Sequence, residues 1–113
     1  MRRGEIWVGN LNPNRGTEIG KIRPVLILQA DFLTAQAEPT VIVLPLTTQV
    51  RPAKEPLRVI IRARDRLQQD CQVVTEQPRT MDRARIADGP LAQLTGEEMA
   101  AVERSFRAVT GLL

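Results

Sequence analysis

Val41-Ile42-Val43-Leu44-Pro45-Leu46-Thr47-Thr48-Gln49 is an apolar run that ends in two hydroxyls and an amide. Val41 to Leu46 has the composition of a strand, and Pro45 places a bulge or a free edge near its end. Upstream, Gly16-Thr17-Glu18-Ile19-Gly20-Lys21-Ile22-Arg23-Pro24 is a glycine-bearing polar loop that brings an acid and an arginine to the mouth of a second apolar run, Val25-Leu26-Ile27-Leu28. If the two runs pair as neighbouring strands, Glu18, Arg23, Thr47 and Gln49 converge on one rim. An arginine beside a hydroxyl, in a chain with no histidine, points to the handling of phosphate rather than to proton shuttling by imidazole.

Outward from these runs the chain continues as short elements. Ile6-Trp7-Val8 reads as a first strand, and Asn10 to Gly16 as a turn-rich loop. Val25 to Gln29 does not alternate and so reads as a strand buried on both faces. Asp31 to Ala37 reads as a short helical turn. Arg51 to Pro56 is a charged loop bracketed by prolines, either solvated or a flap over the cleft. Leu57 to Arg62 alternates, with Leu57, Val59 and Ile61 on one face and Arg58 and Arg62 on the other. Gln72 to Gln77 and Arg79 to Asp82 read as strands separated by Pro78, while Arg85 to Asp88 gives no clear signal. Thr95-Gly96-Glu97-Glu98 is a capping box. It opens a helix whose stripe Met99, Val102, Phe106, Val109, Leu113 reads as core or dimer packing. Periodicity therefore predicts a mostly β fold with a C-terminal helix.

Composition sets the bounds. The 113 residues are 42% hydrophobic and 26% charged, which suits one folded domain spanning 1–113. No apolar run is long enough to span a membrane and no signal peptide is evident, so a cytoplasmic location is expected. The one cysteine, Cys71, rules out an intrachain disulfide. The net charge is only +3, and all the basic residues except Lys21 and Lys54 are Arg. Arg grips phosphate with a planar fork. A GC-rich genome also favours Arg, so the bias alone carries little weight.

Four motifs carry a resemblance. Arg3-Gly4-Glu5-Ile6-Trp7-Val8, the two runs above, and Glu76-Gln77-Pro78-Arg79-Thr80-Met81-Asp82 stand in the order, and near the spacing, of the MazF/PemK/Kid endoribonuclease toxins, and the chain resembles that family over nearly its whole length. The resemblance implies a small SH3-like β-barrel of about five to seven strands with a C-terminal helix, working as a two-fold homodimer. It implies cleavage of single-stranded RNA to a 2′,3′-cyclic phosphate and a 5′-hydroxyl, with neither cofactor nor metal. The partner implied is a MazE-like antitoxin with a disordered acidic-hydrophobic tail. The family's catalytic positions fall on Arg23, Thr47 and Glu18, with Thr48 as the alternative hydroxyl. Gln77, Arg79 and Thr80 match its RNA-facing segment, and Lys21, Thr48, Gln49 and Lys54 are further candidate RNA-binding residues. Three departures stand out: Ile19 where glutamine is usual, Lys21 where a small residue is usual, and Pro78 where an apolar residue with an N–H is usual.

The residues suit that chemistry. With no histidine and no His/Cys cluster, imidazole and zinc routes are absent. RNA supplies its own nucleophile, the 2′-OH, if the phosphate charge is stabilised and the atoms are held in line. Arg23 is suited to bind the non-bridging oxygens but not to act as a base. Thr47 is suited to donate to the phosphate or to orient the 2′-OH. Glu18 is either a general base or a support for Arg23. Each has a plainer reading as a surface or strand residue, and Trp7 reads as core. Two rivals share the fold: a CcdB-like gyrase-binding toxin, disfavoured because the chain ends without a tryptophan, and a non-catalytic RNA-binding module.

Overall fold

The computed structural model describes residues 1–112. Seven strands and two helices follow in the order β1 (Glu5–Asn10), β2 (Ile22–Ile27), α1 (Asp31–Ala35), β3 (Thr40–Thr47), β4 (Ile60–Ile61), β5 (Cys71–Val73), β6 (Arg79–Asp82), β7 (Ile86–Gln93) and α2 (Gly96–Thr110). The strands form one curled antiparallel sheet, a half-open SH3-like barrel, in the order β4-β5-β3-β2-β1-β7, with β6 joined to β3. The mostly β class and the C-terminal helix are as expected. No helix among the described residues is long and apolar enough to cross a membrane.

β3 organises the sheet. One of its edges pairs with β2, from Ile27↔Val43 to Val25↔Pro45. Its other edge pairs first with β6, from Thr40↔Asp82 to Val43↔Arg79, and then with β5 at Leu46↔Val73 and Thr47↔Gln72. Pro45 stands between those two sets of partners. A residue without an N–H fits there, because the ladder changes strands at that point. Its carbonyl still accepts from the Val74 N–H at 2.8 Å.

Successive residues of β2 and β3 feed two separate cores. Leu26, Leu44 and Leu46 join Ile6, Ile61 and Val102 on one face, while Val25, Ile27, Val41 and Val43 join Leu11 and Met81 on the other. Both faces are dry, so the two strands carry no polar alternation.

α2 begins as its sequence predicts. The Thr95 hydroxyl accepts from the Glu98 N–H at 3.1 Å, and the Glu98 carboxylate accepts from the Thr95 N–H at 2.8 Å. Val102 is fully buried, with Met99 and Phe106 packed around it. Leu113, the last residue of the expected stripe, lies outside the described residues. Gly111 ends the helix in the left-handed region at φ 74°, and the Leu112 N–H returns to the Arg107 carbonyl at 2.9 Å. Burial pushes the Glu98 carboxyl up, but hydrogen bonds from Arg64 and from the Thr95 N–H outweigh it and hold the group below its usual range. The stability it contributes is present above the ordinary carboxyl pKa and is lost as pH falls through the lowered value. Thr95→Ala is expected to cost about 1 kcal/mol in urea unfolding, with the helix shortened rather than the barrel opened.

Two expectations need correction, and one region without a signal is resolved. Leu57 to Arg62 is not one strand, since only Ile60 and Ile61 pair with β5. Backbone groups before them are used locally: the Arg58 N–H donates to the Lys54 carbonyl at 3.0 Å, and the Leu57 carbonyl accepts from the Ser105 hydroxyl. Leu57 is consequently 50% exposed instead of facing inward with Ile61. Gln72 to Gln77 also breaks early. β5 ends at Val73, and a turn closed by the Gln77 N–H on the Val74 carbonyl follows. Finally, the unassigned region around Arg85 to Asp88 contains a short 3₁₀ turn and then the eight-residue β7. Asp88-Gly89-Pro90 resembles a turn in sequence. In the fold it is a bulge: β1 pairs Ile6↔Ala92 and Val8↔Ala87, so residues 88–91 span the stretch opposite the single residue Trp7. A Cβ on Gly89 would stand 2.1 Å from the Trp7 ring. The indole lies over that glycine, packs on the second core, and donates from Nε1 to the Glu5 carboxylate at 3.1 Å.

Candidate active site

The β2/β3 ladder ends at Val25↔Pro45, and Arg23 and Thr47 each lie two residues beyond it on their strands. By strand alternation both lie on the face that carries Val25 and Val43. They share a cleft of about 700 Å³ at the end of the sheet. Its lining includes five basic residues (Lys21, Arg23, Arg51, Lys54 and Arg58), no acidic residue, and the hydroxyls of Thr17, Thr47 and Thr48.

Arg23 is aimed by its own loop. Its Nε donates to the Gly20 carbonyl at 2.7 Å, and among the described residues its two terminal nitrogens make no other hydrogen bond. Partial burial lowers its pKa, but a guanidinium so perturbed remains charged. On the facing strand, the Thr47 oxygen accepts from the Gln49 N–H at 3.1 Å. That leaves the hydroxyl proton free to donate into the cleft. Thr48 and Gln49 follow in exposed positions on the same wall.

The second wall is the segment 51–58. It is clamped from below by Gln72, which is fully buried and fully used. The Gln72 Oε1 accepts from the Arg51 N–H at 2.9 Å, and its Nε2 donates to the carbonyls of Arg51 and Arg58 at 3.0 and 3.1 Å. Arg58 itself is held by Glu76 through three contacts of 2.7–3.1 Å. The Arg58 hydrogen bonds hold the Glu76 carboxyl below its usual range despite burial, which acts the other way. Arg58 therefore builds the wall, while Lys21, Arg23, Arg51 and Lys54 keep charges unpaired by any acid among the described residues.

The loop between β1 and β2 is tied at its neck. The Leu11 N–H donates to the Lys21 carbonyl, and the Lys21 N–H to the Asn12 side-chain oxygen, each at 2.8 Å. Lys21 occupies the left-handed region at φ 70°, which explains why a small residue suits this position. At the tip, the Glu18 carboxylate accepts from the Arg15 N–H at 2.8 Å. Glu18 makes no ion pair with Arg23; of the two roles open to it, holding Arg23 is filled here by the Gly20 carbonyl. Glu18 lines a separate, adjoining hollow of about 430 Å³ with Gln77, Pro78 and Arg79.

The structure thus brings Arg23, Thr47, Thr48, Gln49, Lys21, Lys54 and Gln77 into one cleft and sets Glu18 and Arg79 beside it. Arg79 is committed to the loop, donating to the Leu11 carbonyl at 2.6 Å. Thr80 is outside both spaces. Neighbouring strand residues point to opposite faces, so Met81 enters the core and Thr80 is exposed opposite Ile42. Arg51, Arg58, Thr17 and Gln72 were missed as site residues. The charged, proline-bracketed loop was a signal for Arg51, but a buried glutamine clamp has no signature in one sequence.

A half-open barrel with a basic, hydroxyl-bearing rim has the chemistry that suits a phosphate ester. Comparison with known proteins sharpens that reading. Residues 2–110 match the model of the PemK-like, MazF-like toxins of type II toxin–antitoxin systems. The chain is 36% identical to the endoribonuclease MazF of Staphylococcus saprophyticus, over 99% of its own length and 92% of the relative's. Among solved structures, MazF from Deinococcus radiodurans superposes with a TM-score of 0.81 at 22% identity, covering 98% of this chain and 96% of that one. A mycobacterial endoribonuclease in complex with its cognate antitoxin superposes at 0.77 with 20% identity, covering 100% and 97%. The chain belongs to the PemK-like, MazF-like family of type II toxins.

Proposed function

We propose that this toxin is an endoribonuclease that cuts single-stranded messenger RNA in the cytoplasm without a metal, and so halts translation and growth. The observation that carries the reading is the meeting of Arg23 and Thr47 in a cleft lined by five basic and no acidic residues. A phosphodiester seated there has its non-bridging oxygens on the Arg23 fork and the Thr47 hydroxyl. Lys21, Arg51 and Lys54 hold the flanking phosphates. The 2′-OH attacks the adjacent phosphorus and gives up its proton to solvent or Glu18, the P–O5′ bond breaks, O5′ takes up a proton from solvent, and the products are a 2′,3′-cyclic phosphate and a 5′-hydroxyl. The guanidinium stabilises charge that grows on the phosphate oxygens as the bond breaks. Glu18, in the adjoining hollow, acts on the flanking nucleotide or reaches the 2′-OH when RNA reorders the loop.

The active form is a homodimer with the RNA groove continuing across two copies. The antitoxin silences it by laying a disordered acidic segment along the free cations, ordering as it binds. The test is chemical. RNA cut by the purified protein in excess EDTA should carry 5′ ends that a polynucleotide kinase labels directly and 3′ ends that resist phosphatase until the cyclic phosphate is opened. Ends bearing 5′-phosphate, or cutting abolished by EDTA, would sink the mechanism.

A further inference from the structure

Gln77 lines both the Arg23–Thr47 cleft and the hollow beside Glu18, so it stands where the base of a nucleotide flanking the cut must pass. Two hydrogen bonds fix it. Its backbone N–H donates to the Val74 carbonyl at 3.1 Å, closing the turn after β5. Its side-chain oxygen accepts from the Ile19 N–H at 2.8 Å. An N–H can only donate, so the amide oxygen has to face Ile19 and the NH₂ group has to face away from it. A free glutamine offers a base either an acceptor or a donor. Here the Ile19 bond fixes the amide plane, so the group presented outward is the NH₂, a donor, and its orientation is set by the protein rather than by the RNA.

On the proposed ribonuclease reading, we infer that Gln77 reads the keto oxygen of one base beside the scissile phosphate, selecting guanine or uracil over adenine or cytosine at that position. Guanine O6 and uracil O4 are acceptors, whereas adenine and cytosine present amino groups in the corresponding places. An amino group brought to the Gln77 NH₂ meets a donor with a donor and is left unpaired. Bases in single strands are commonly read on these edges. The discrimination expected from one such hydrogen bond is about tenfold in cleavage rate.

The experiment maps cut sites in a random-sequence RNA pool by 5′-end sequencing, for the wild-type protein and for Gln77→Glu. The carboxylate of that variant still accepts from the Ile19 N–H, so the loop anchor is kept while the outward group changes from donor to acceptor. Wild type should show one position next to the cut enriched in G or U, and Gln77→Glu should shift that position toward A or C. Since the added charge slows cutting everywhere, the base ratio is the readout. An unchanged ratio overturns the inference and leaves the ribonuclease reading intact, because a merely structural anchor would not move it. Should Gln77→Glu prove inactive, the wild type decides. On a defined oligonucleotide, replacing uracil at that position by 2-pyrimidinone, or guanine by 2-aminopurine, removes only the read oxygen and its associated ring proton. About tenfold slower cutting is expected, and equal rates overturn the assignment. A wild-type protein that cuts no RNA sinks the ribonuclease reading itself, and this inference with it.

Discussion

Arg23→Ala should slow RNA cleavage by about 10²–10³-fold, the usual cost of removing one transition-state donor, while binding of uncut RNA weakens far less. The asymmetry follows from the surroundings. Lys21, Arg51 and Lys54 remain to hold the backbone, so ground-state attraction survives. What disappears is the fork pinned at its Nε by Gly20 and aimed at one phosphate. Arg23→Lys should not restore the rate. An ammonium keeps the charge but loses the planar two-point grip and the anchoring hydrogen bond to Gly20. Single-turnover rates with matched binding measurements check both variants. Wild-type turnover by Arg23→Ala would remove this residue from the mechanism.

The second large effect concerns the substrate. A 2′-deoxy nucleotide placed immediately before the cut should abolish cleavage at that bond, with binding little changed. In the proposed reaction the cleft supplies no nucleophile. Arg23 stays protonated, and Thr47 already accepts from Gln49, leaving its proton to be donated. The rate comes from holding the 2′-oxygen in line and stabilising the charge that develops. Removing that oxygen leaves nothing to attack. Hydrolysis of the deoxy bond, measured on an end-labelled oligonucleotide, would mean that water or a side chain is the attacking group.

The legible part of this chain was its buried strands and its caps. β2 and β3 announced themselves because both faces are dry, and α2 because Thr95 and Glu98 form a complete capping box. Placing Arg23 and Thr47 on one rim needed only the pairing of those two strands. The illegible parts were decided at a distance. β7 hid behind Gly89-Pro90, residues that break strands in general but here bulge across from an indole. Leu57 looked buried by alternation, yet the turn closed by Lys54 and Arg58 and the hydroxyl of Ser105 hold its backbone out of the ladder. Glu18 sits close to Arg23 in sequence, but a two-way link with Arg15 turns it into the next hollow. Such local ties between side chain and backbone leave no periodic trace.

The strand that ends at Thr47 is bonded along both edges and changes one neighbour midway at Pro45, whereas the two segments that rim the cleft are moored at a few points each. On the proposed reading, mutation can therefore lengthen, shorten or recharge the 51–58 margin while Arg23, held by Gly20, and Thr47 keep their positions. A lineage built this way can then change its target preference at that margin without rebuilding the strand that carries Thr47.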